Sequence, residues 1–236
     1  MSTEKTCASF YIYESYRYTA LYSLETIDSY DSSNQFSTAY DTGKIIKTVK
    51  GISSCTVTVY PVPGASPHPE GIDKSPDISG LFFVDQNNKK LYKIVASTGA
   101  ITIVRDLTLD TVYSPWFVAD SNDAGNFVWV TFRDSGVIRA YATLTGALVE
   151  TSPSLGTGNN VYDVAVINTG IPVVTWWQDP KISKYDYNTN TWTTHDWNTE
   201  CSGCDGFGVD TIFSANTYYA ALRSLSGTSK IVTGAF

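Results

Sequence analysis

The sequence predicts an all-β fold, a five-bladed β-propeller of four-stranded antiparallel blades, and three observations carry that prediction. Short runs of β-branched and aromatic residues alternate with turns built from Asn, Asp, Ser and Gly. An aspartate closes a strand at Asp41, Asp85, Asp134 and Asp179, in steps of 44, 49 and 45 residues. No stretch suggests a helix of any length.

The clearest unit spans residues 69–107. An opening strand over 70–73 is followed by an apolar run, 80–84, that ends at Asp85. A third strand over 90–95 reaches the turn Ser97-Thr98-Gly99, and a fourth covers 100–104. The same order recurs. Third strands carry Lys44-Ile45-Ile46-Lys47, Lys90-Leu91-Tyr92-Lys93, Val137-Ile138-Arg139, Lys181-Ile182-Ser183-Lys184 and Lys230-Ile231-Val232. Thr98-Gly99, Thr145-Gly146 and Thr189-Asn190 read as tight turns between third and fourth strands.

The blades fall at about 20–60, 69–107, 113–155, 160–198 and 205–236, forming a single domain. The last has material for three strands only, and residues 9–13 are the expected fourth, closing the ring and removing its exposed edges. The proline-rich segment 61–69 is expected as a rigid loop on one face. A many-stranded β-sandwich, the structural competitor, does not account for the 45-residue period.

A 236-residue chain that is 42% hydrophobic and 14% aromatic has ample core material. Net charge is −7 and the isoelectric point about 4.7, which excludes a nucleic-acid footprint and an anionic membrane surface while permitting a cation or a small molecule. No apolar run approaches membrane-span length, and the N-terminus lacks signal-peptide character, so the cytosol is favoured over secretion after processing.

In a propeller the first strand of each blade lines the channel, and its first residues sit at one mouth. Aligned by the repeat, that position falls at Glu25, Glu70, Pro115, Asn160 and Asp205, each 45 residues apart. Converging carboxylates need protons or a cation to compensate their repulsion. Mixed carboxylate and amide oxygens suit Ca²⁺ or another hard divalent ion, with Glu25, Glu70, Asn160 and Asp205 as ligands. Solvated polar side chains at a wet channel mouth are the competing reading.

His68-Pro69-Glu70-Gly71, Asn159-Asn160-Val161 and Cys204-Asp205-Gly206-Phe207-Gly208-Val209-Asp210 resemble blade openings of the senescence marker protein and gluconolactonase propellers. The pattern over 82–94 and 128–141 is also similar to streptogramin lyase and related propellers. The resemblance implies a divalent metal held by Glu70, Asn160 and Asp205, polarising a lactone carbonyl, with Asp205 as general base. Three departures stand against it. That family has six blades where five are counted here, Pro115 occupies a position where a polar substrate contact is expected, and Glu25 adds an extra carboxylate.

His68, beside Glu70, is the candidate acid or base near neutral pH, with a plain surface histidine as its alternative. His195 is expected on an outer fourth strand, away from catalysis, and no pair of histidines supports a two-histidine lyase. The four cysteines, Cys7, Cys55, Cys201 and Cys204, allow three pairings. Cys201-Ser202-Gly203-Cys204 precedes a strand and reads as a small structural disulfide or two free thiols, not a redox motif.

Trp129, Trp176 and Tyr219 fall on second strands, where packing between blades is the ordinary explanation. Trp116, Tyr113 and Phe207 lie beside the first-strand openings and are the candidate substrate contacts. Together these features predict a small-molecule enzyme at a channel mouth, like a metal-dependent lactonase or esterase or a related cyclase. Its catalytic candidates are Asp205, Glu70 and His68. A lectin binding sugars through aromatic pockets is the alternative.

Overall fold

A computed structural model describes residues 24–29, 31, 33–51, 55–74, 79–111, 113–120, 126–156, 160–167, 170–212, 217–224 and 228–236. The expected closing strand at 9–13 and Cys7 lie outside these residues. So do the side chains of Glu25, Cys55 and Phe207, although their backbones belong to strands.

Among the described residues five antiparallel sheets follow one another along the chain, four of four strands and the last of three. The first contains β1 (Leu24–Ser29), β2 (Asn34–Ala39), β3 (Lys44–Lys50) and β4 (Cys55–Pro61). The second contains β5 (Pro69–Lys74), β6 (Gly80–Asp85), β7 (Lys90–Val95) and β8 (Ile101–Asp106). The third runs β9 (Pro115–Asp120), β10 (Phe127–Phe132), β11 (Ile138–Ala142) and β12 (Leu148–Thr151). The fourth runs β13 (Asn160–Ile167), β14 (Ile171–Trp177), β15 (Asp179–Asp186) and β16 (Thr191–Asp196). The fifth is β17 (Cys204–Ile212), β18 (Thr217–Ser224) and β19 (Lys230–Ala235). Strands pair in sequence order throughout, so every connection is local. The chain divides into two compact units, Met1–Ile103 and Val104–Phe236, with the division inside β8.

The expected turns are there for the expected reason. Gly99 and Gly146 have φ of 73° and 66°, and Asn190 at the matching place has φ of 55°, the left-handed region that glycine and asparagine tolerate best. A side chain on Gly99 would collide with the Tyr60 ring, and one on Gly146 with the Val104 carbonyl. The Asp85 turn is held by its carboxylate, which accepts from the amides of His68, Asn87 and Asn88 at 3.0–3.1 Å.

Each first strand carries a register irregularity near its start: between Leu24 and Ile27, Pro69 and Ile72, Val161 and Val164, and Gly206 and Gly208. In the third sheet it falls opposite Val130 and Phe132. Such bulges free backbone groups and re-aim side chains. Buried threonines on the second strands take up the freed amides. Thr131 Oγ1 accepts from Phe117 N at 2.9 Å and donates to the Tyr162 carbonyl at 2.8 Å, while Thr175 Oγ1 accepts from Asp163 N at 3.2 Å.

In the first unit the core joins Phe36, Ile45, Leu81, Phe83, Tyr92 and Ile94. In the second, one cluster gathers around Trp129, Val164, Val174 and Tyr185, and another around Val173, Ile182, Tyr218 and Leu222. Second strands are the most buried, as β6 shows with every residue inaccessible. Trp129 and Trp176 pack as expected. Tyr219 does not: it is exposed and Tyr218 is buried in its place, because strand side chains alternate and the inward parity of β18 starts one residue earlier. Trp192 lies on the outer strand β16, packed on Tyr185 with its indole N–H on the Pro153 carbonyl at 2.9 Å.

Tyr185 is fully buried, its single hydroxyl proton shared between Asn190 Oδ1 at 3.0 Å and Glu150 Oε1 at 3.2 Å. Burial, reinforced by the Glu150 carboxylate, pushes its phenol up to about 12. In the unfolded chain the phenol ionises near its ordinary 10, so the folded state keeps a proton that the unfolded state has lost. This contribution is complete below pH 10 and is lost as pH rises to about 12. The urea midpoint should therefore fall across pH 10–12, and the fall should be smaller in Tyr185→Phe; equal slopes in the two proteins would refute this assignment.

Candidate functional site

Two clusters form where first strands begin and second strands end, one within each unit.

In the first unit, Glu70 is the second residue of β5 and is buried. Its Oε2 accepts from Gln86 Nε2 at 2.8 Å, and Gln86 Oε1 accepts from the Tyr40 hydroxyl at 2.7 Å. The Tyr40 ring packs on the His68 imidazole with centroids 4.4 Å apart. Gln86 is also tied to His68 through its backbone, Gln86 N donating to the His68 carbonyl at 2.9 Å. His68 Nδ1 is buried and has no polar partner among the described residues. The chain Tyr40–Gln86–Glu70 thus fixes a histidine whose ring still has hydrogen-bonding capacity. His68 and Glu70 are both linked to Gln86, one through its backbone and the other through its side chain. Tyr40 and Gln86 were missed, although both adjoin the repeated aspartates Asp41 and Asp85.

In the second unit, Pro115, Asn160 and Asp205 stand at the openings of β9, β13 and β17, as the 45-residue register requires. Asn160 pairs in register with Trp177, and Asp205 with Arg223. The Asp205 carboxylate, which is buried, accepts from Arg223 Nη2 at 2.9 Å. The Arg223 guanidinium in turn lies 4.8 Å over the Trp177 ring. Trp177 meets Tyr162 at 4.8 Å and Trp116 at 5.9 Å, Trp116 meets Tyr162 edge-on at 4.8 Å, and Arg133 covers Trp116 at 5.5 Å. Of the candidate substrate contacts, Trp116 joins this cluster. Tyr113 is exposed in the preceding loop, with no ring contact to the cluster among the described residues.

Local sequence explains why Asp205 can sit there. Gly206 follows it, and a Cβ on Gly206 would come within 2.7 Å of the Trp176 carbonyl and 2.8 Å of its amide nitrogen, so only glycine lets β17 approach β14 this closely. A Cys201–Cys204 disulfide closes the turn immediately before β17, which selects one of the two states the sequence left open. His195 is on the outer strand β16, its Nδ1 2.8 Å from the Tyr218 hydroxyl and its ring stacked on Phe236 at 4.3 Å.

Of the expected metal ligands, Asp205 has a positive partner in Arg223 and the Glu70 carboxylate holds the Gln86 amide, while Pro115 at the matching opening has no side-chain oxygen. Among the described residues no group of three or more His, Cys, Asp or Glu side chains gathers.

No protein-family model matches the chain, and no curated protein matches it significantly. Solved structures do. A streptogramin B lyase superposes with a TM-score of 0.68 at 18% identity, over 89% of this chain and 68% of the lyase. The virginiamycin B lyase of Staphylococcus aureus gives 0.69 at 13% identity, over 91% and 70% of the respective chains. The WD40 repeats of RRP9 give 0.68 at 16% identity, over 86% of this chain and 61% of that one.

Removing the Asp205 carboxylate removes the ion pair that joins the start of β17 and the end of β18. Asp205→Ala is expected to lower stability by about 1–3 kcal/mol, read by urea denaturation. Ca²⁺ or EDTA should leave the thermal midpoint unchanged; a midpoint raised by Ca²⁺ in the wild type and not in Asp205→Ala would restore the metal reading. At the level of fold, the expected similarity to streptogramin lyase propellers holds, and the chain has the β-propeller fold.

Proposed function

We propose that the protein is a small-molecule enzyme that hydrolyses an ester or lactone by general acid–base catalysis, with His68 as the proton-transfer residue. The observation that carries this reading is the buried, unpartnered Nδ1 of His68 beside the Tyr40–Gln86–Glu70 hydrogen-bonded chain. The reading takes the five sheets as five blades, supported by the 45-residue step and by the sheet order. The fold it shares with proteins named as lyases supports a small-molecule substrate.

In the proposed reaction the His68 imidazole takes a proton from water as the oxygen adds to the carbonyl carbon. It returns the proton to the departing alkoxide, so the products are an acid and an alcohol, and the imidazole is neutral again. Tyr40 holds the ring face, and Glu70 acts through Gln86 as a positioning residue. Asp205, whose carboxylate is held by Arg223, is not the base in this scheme.

Turnover of small lactones and of p-nitrophenyl esters near neutral pH tests the reading. His68→Asn should lower kcat by about 10²–10⁴-fold. Glu70→Gln and Tyr40→Phe should give smaller losses and broaden the pH profile, because they loosen the ring without removing it. Loss of the signal in neither His68→Asn nor Glu70→Gln, or no turnover above buffer, would refute the proposal. Ring closure of a linear substrate by the same residues would assign the cyclase reaction in place of hydrolysis.

A further inference from the structure

We infer that the Trp116–Tyr162–Trp177 cluster, capped by Arg133 and Arg223, is a binding subsite for a small carboxylic acid with a flat apolar or aromatic body. It is formed within the second unit alone and does not depend on the acid–base role of His68.

Three rings meet at strand ends rather than in a sheet interior. Trp116 is the second residue of β9, Tyr162 the third of β13, and Trp177 the last of β14. Trp116 is 7% exposed, whereas Tyr162 and Trp177 are only half-buried, so the cluster has a closed floor and an accessible rim. Aromatic edges of this kind accept another flat apolar group at favourable ring distances.

The guanidiniums decide the rest of the ligand. Arg223 over Trp177 is fixed by Asp205, which offsets its charge. Arg133 over Trp116 is different. Its side chain is 55% exposed, and its ion partner among the described residues is Asp134, itself 63% exposed, at 3.5 Å. An exposed pair of that length contributes little and exchanges with water. Arg133 is therefore held in place by the indole while its planar fork remains available, and that fork matches a carboxylate through two parallel N–H···O bonds. Two of the chain's five arginines stand in this one aromatic cluster.

The same geometry disfavours a neutral sugar. A sugar stacks on an open ring face, but here Arg133 and Arg223 cover faces of Trp116 and Trp177, and Tyr162 packs against both indoles.

Titration of tryptophan fluorescence with benzoate, benzyl alcohol, inorganic phosphate and methyl glucoside tests the assignment. Benzoate should quench saturably, with benzyl alcohol and phosphate each at least about tenfold weaker and the glucoside silent. Arg133→Gln should weaken benzoate about tenfold with an unchanged thermal midpoint, and Arg133→Lys should recover only part of it. His68→Asn should bind benzoate as the wild type does, which separates this subsite from the proposed chemistry. Equal binding of benzoate and benzyl alcohol, phosphate competing as strongly as benzoate, preference for the glucoside, or an Arg133→Gln protein that binds normally would each overturn it.

Discussion

The bulge at the start of each first strand is the constraint on which the rest of the structure depends. A regular strand entering there would complete its ladder and alternate its side chains strictly between the two faces. The irregularity breaks that alternation and leaves backbone amides to be satisfied by other means. Thr131 and Thr175 satisfy them from the neighbouring strand while fully buried. An unpaired amide in such a place would cost about 1–3 kcal/mol, so the threonines are part of the backbone's hydrogen-bonding rather than surface decoration.

Once the strand is bulged, the residues beside it acquire their roles. Glu70 lies within the irregular stretch of β5 and reaches the Gln86 amide, and Asp205 lies just before that of β17 and reaches Arg223. Glu70 and Asp205 are thus each answered by a polar side chain at or just past the end of the second strand in its own sheet. The pairing makes each of these acids a fixed, hydrogen-bonded group. It also sets the character of each cluster: an amide, a phenol and an imidazole in the first unit, and aromatic rings with guanidiniums in the second.

Much of the fold was legible because its cues are local. Short runs of β-branched and aromatic residues, repeated aspartate turns and Thr-Gly turns located the strands of 69–107 to within a residue or two, and the 45-residue register placed Pro115, Asn160 and Asp205 at strand openings. The site was legible only in part. First-strand residues were found because they repeat as polar side chains at a fixed step. Tyr40, Gln86, Arg133, Trp177 and Arg223 differ from sheet to sheet, so no repeated residue type marked them. Tyr219 was misplaced for a related reason: a one-residue shift in parity reverses which of two adjacent tyrosines is buried, and adjacent tyrosines read alike.

The sequence by itself determined the all-β class, the order of the strands, the repeat and the conformations of its turns, since each depends on residues close together in the chain. Tertiary structure decided what neutralises the acids. Whether Asp205 meets a metal ion, a proton or Arg223 depends on side chains brought together across a strand pair 18 residues apart in sequence, and on Gly206 allowing β17 to approach the Trp176 backbone. Electrostatic partners are set by distances of a few ångströms, and composition and spacing leave those distances open.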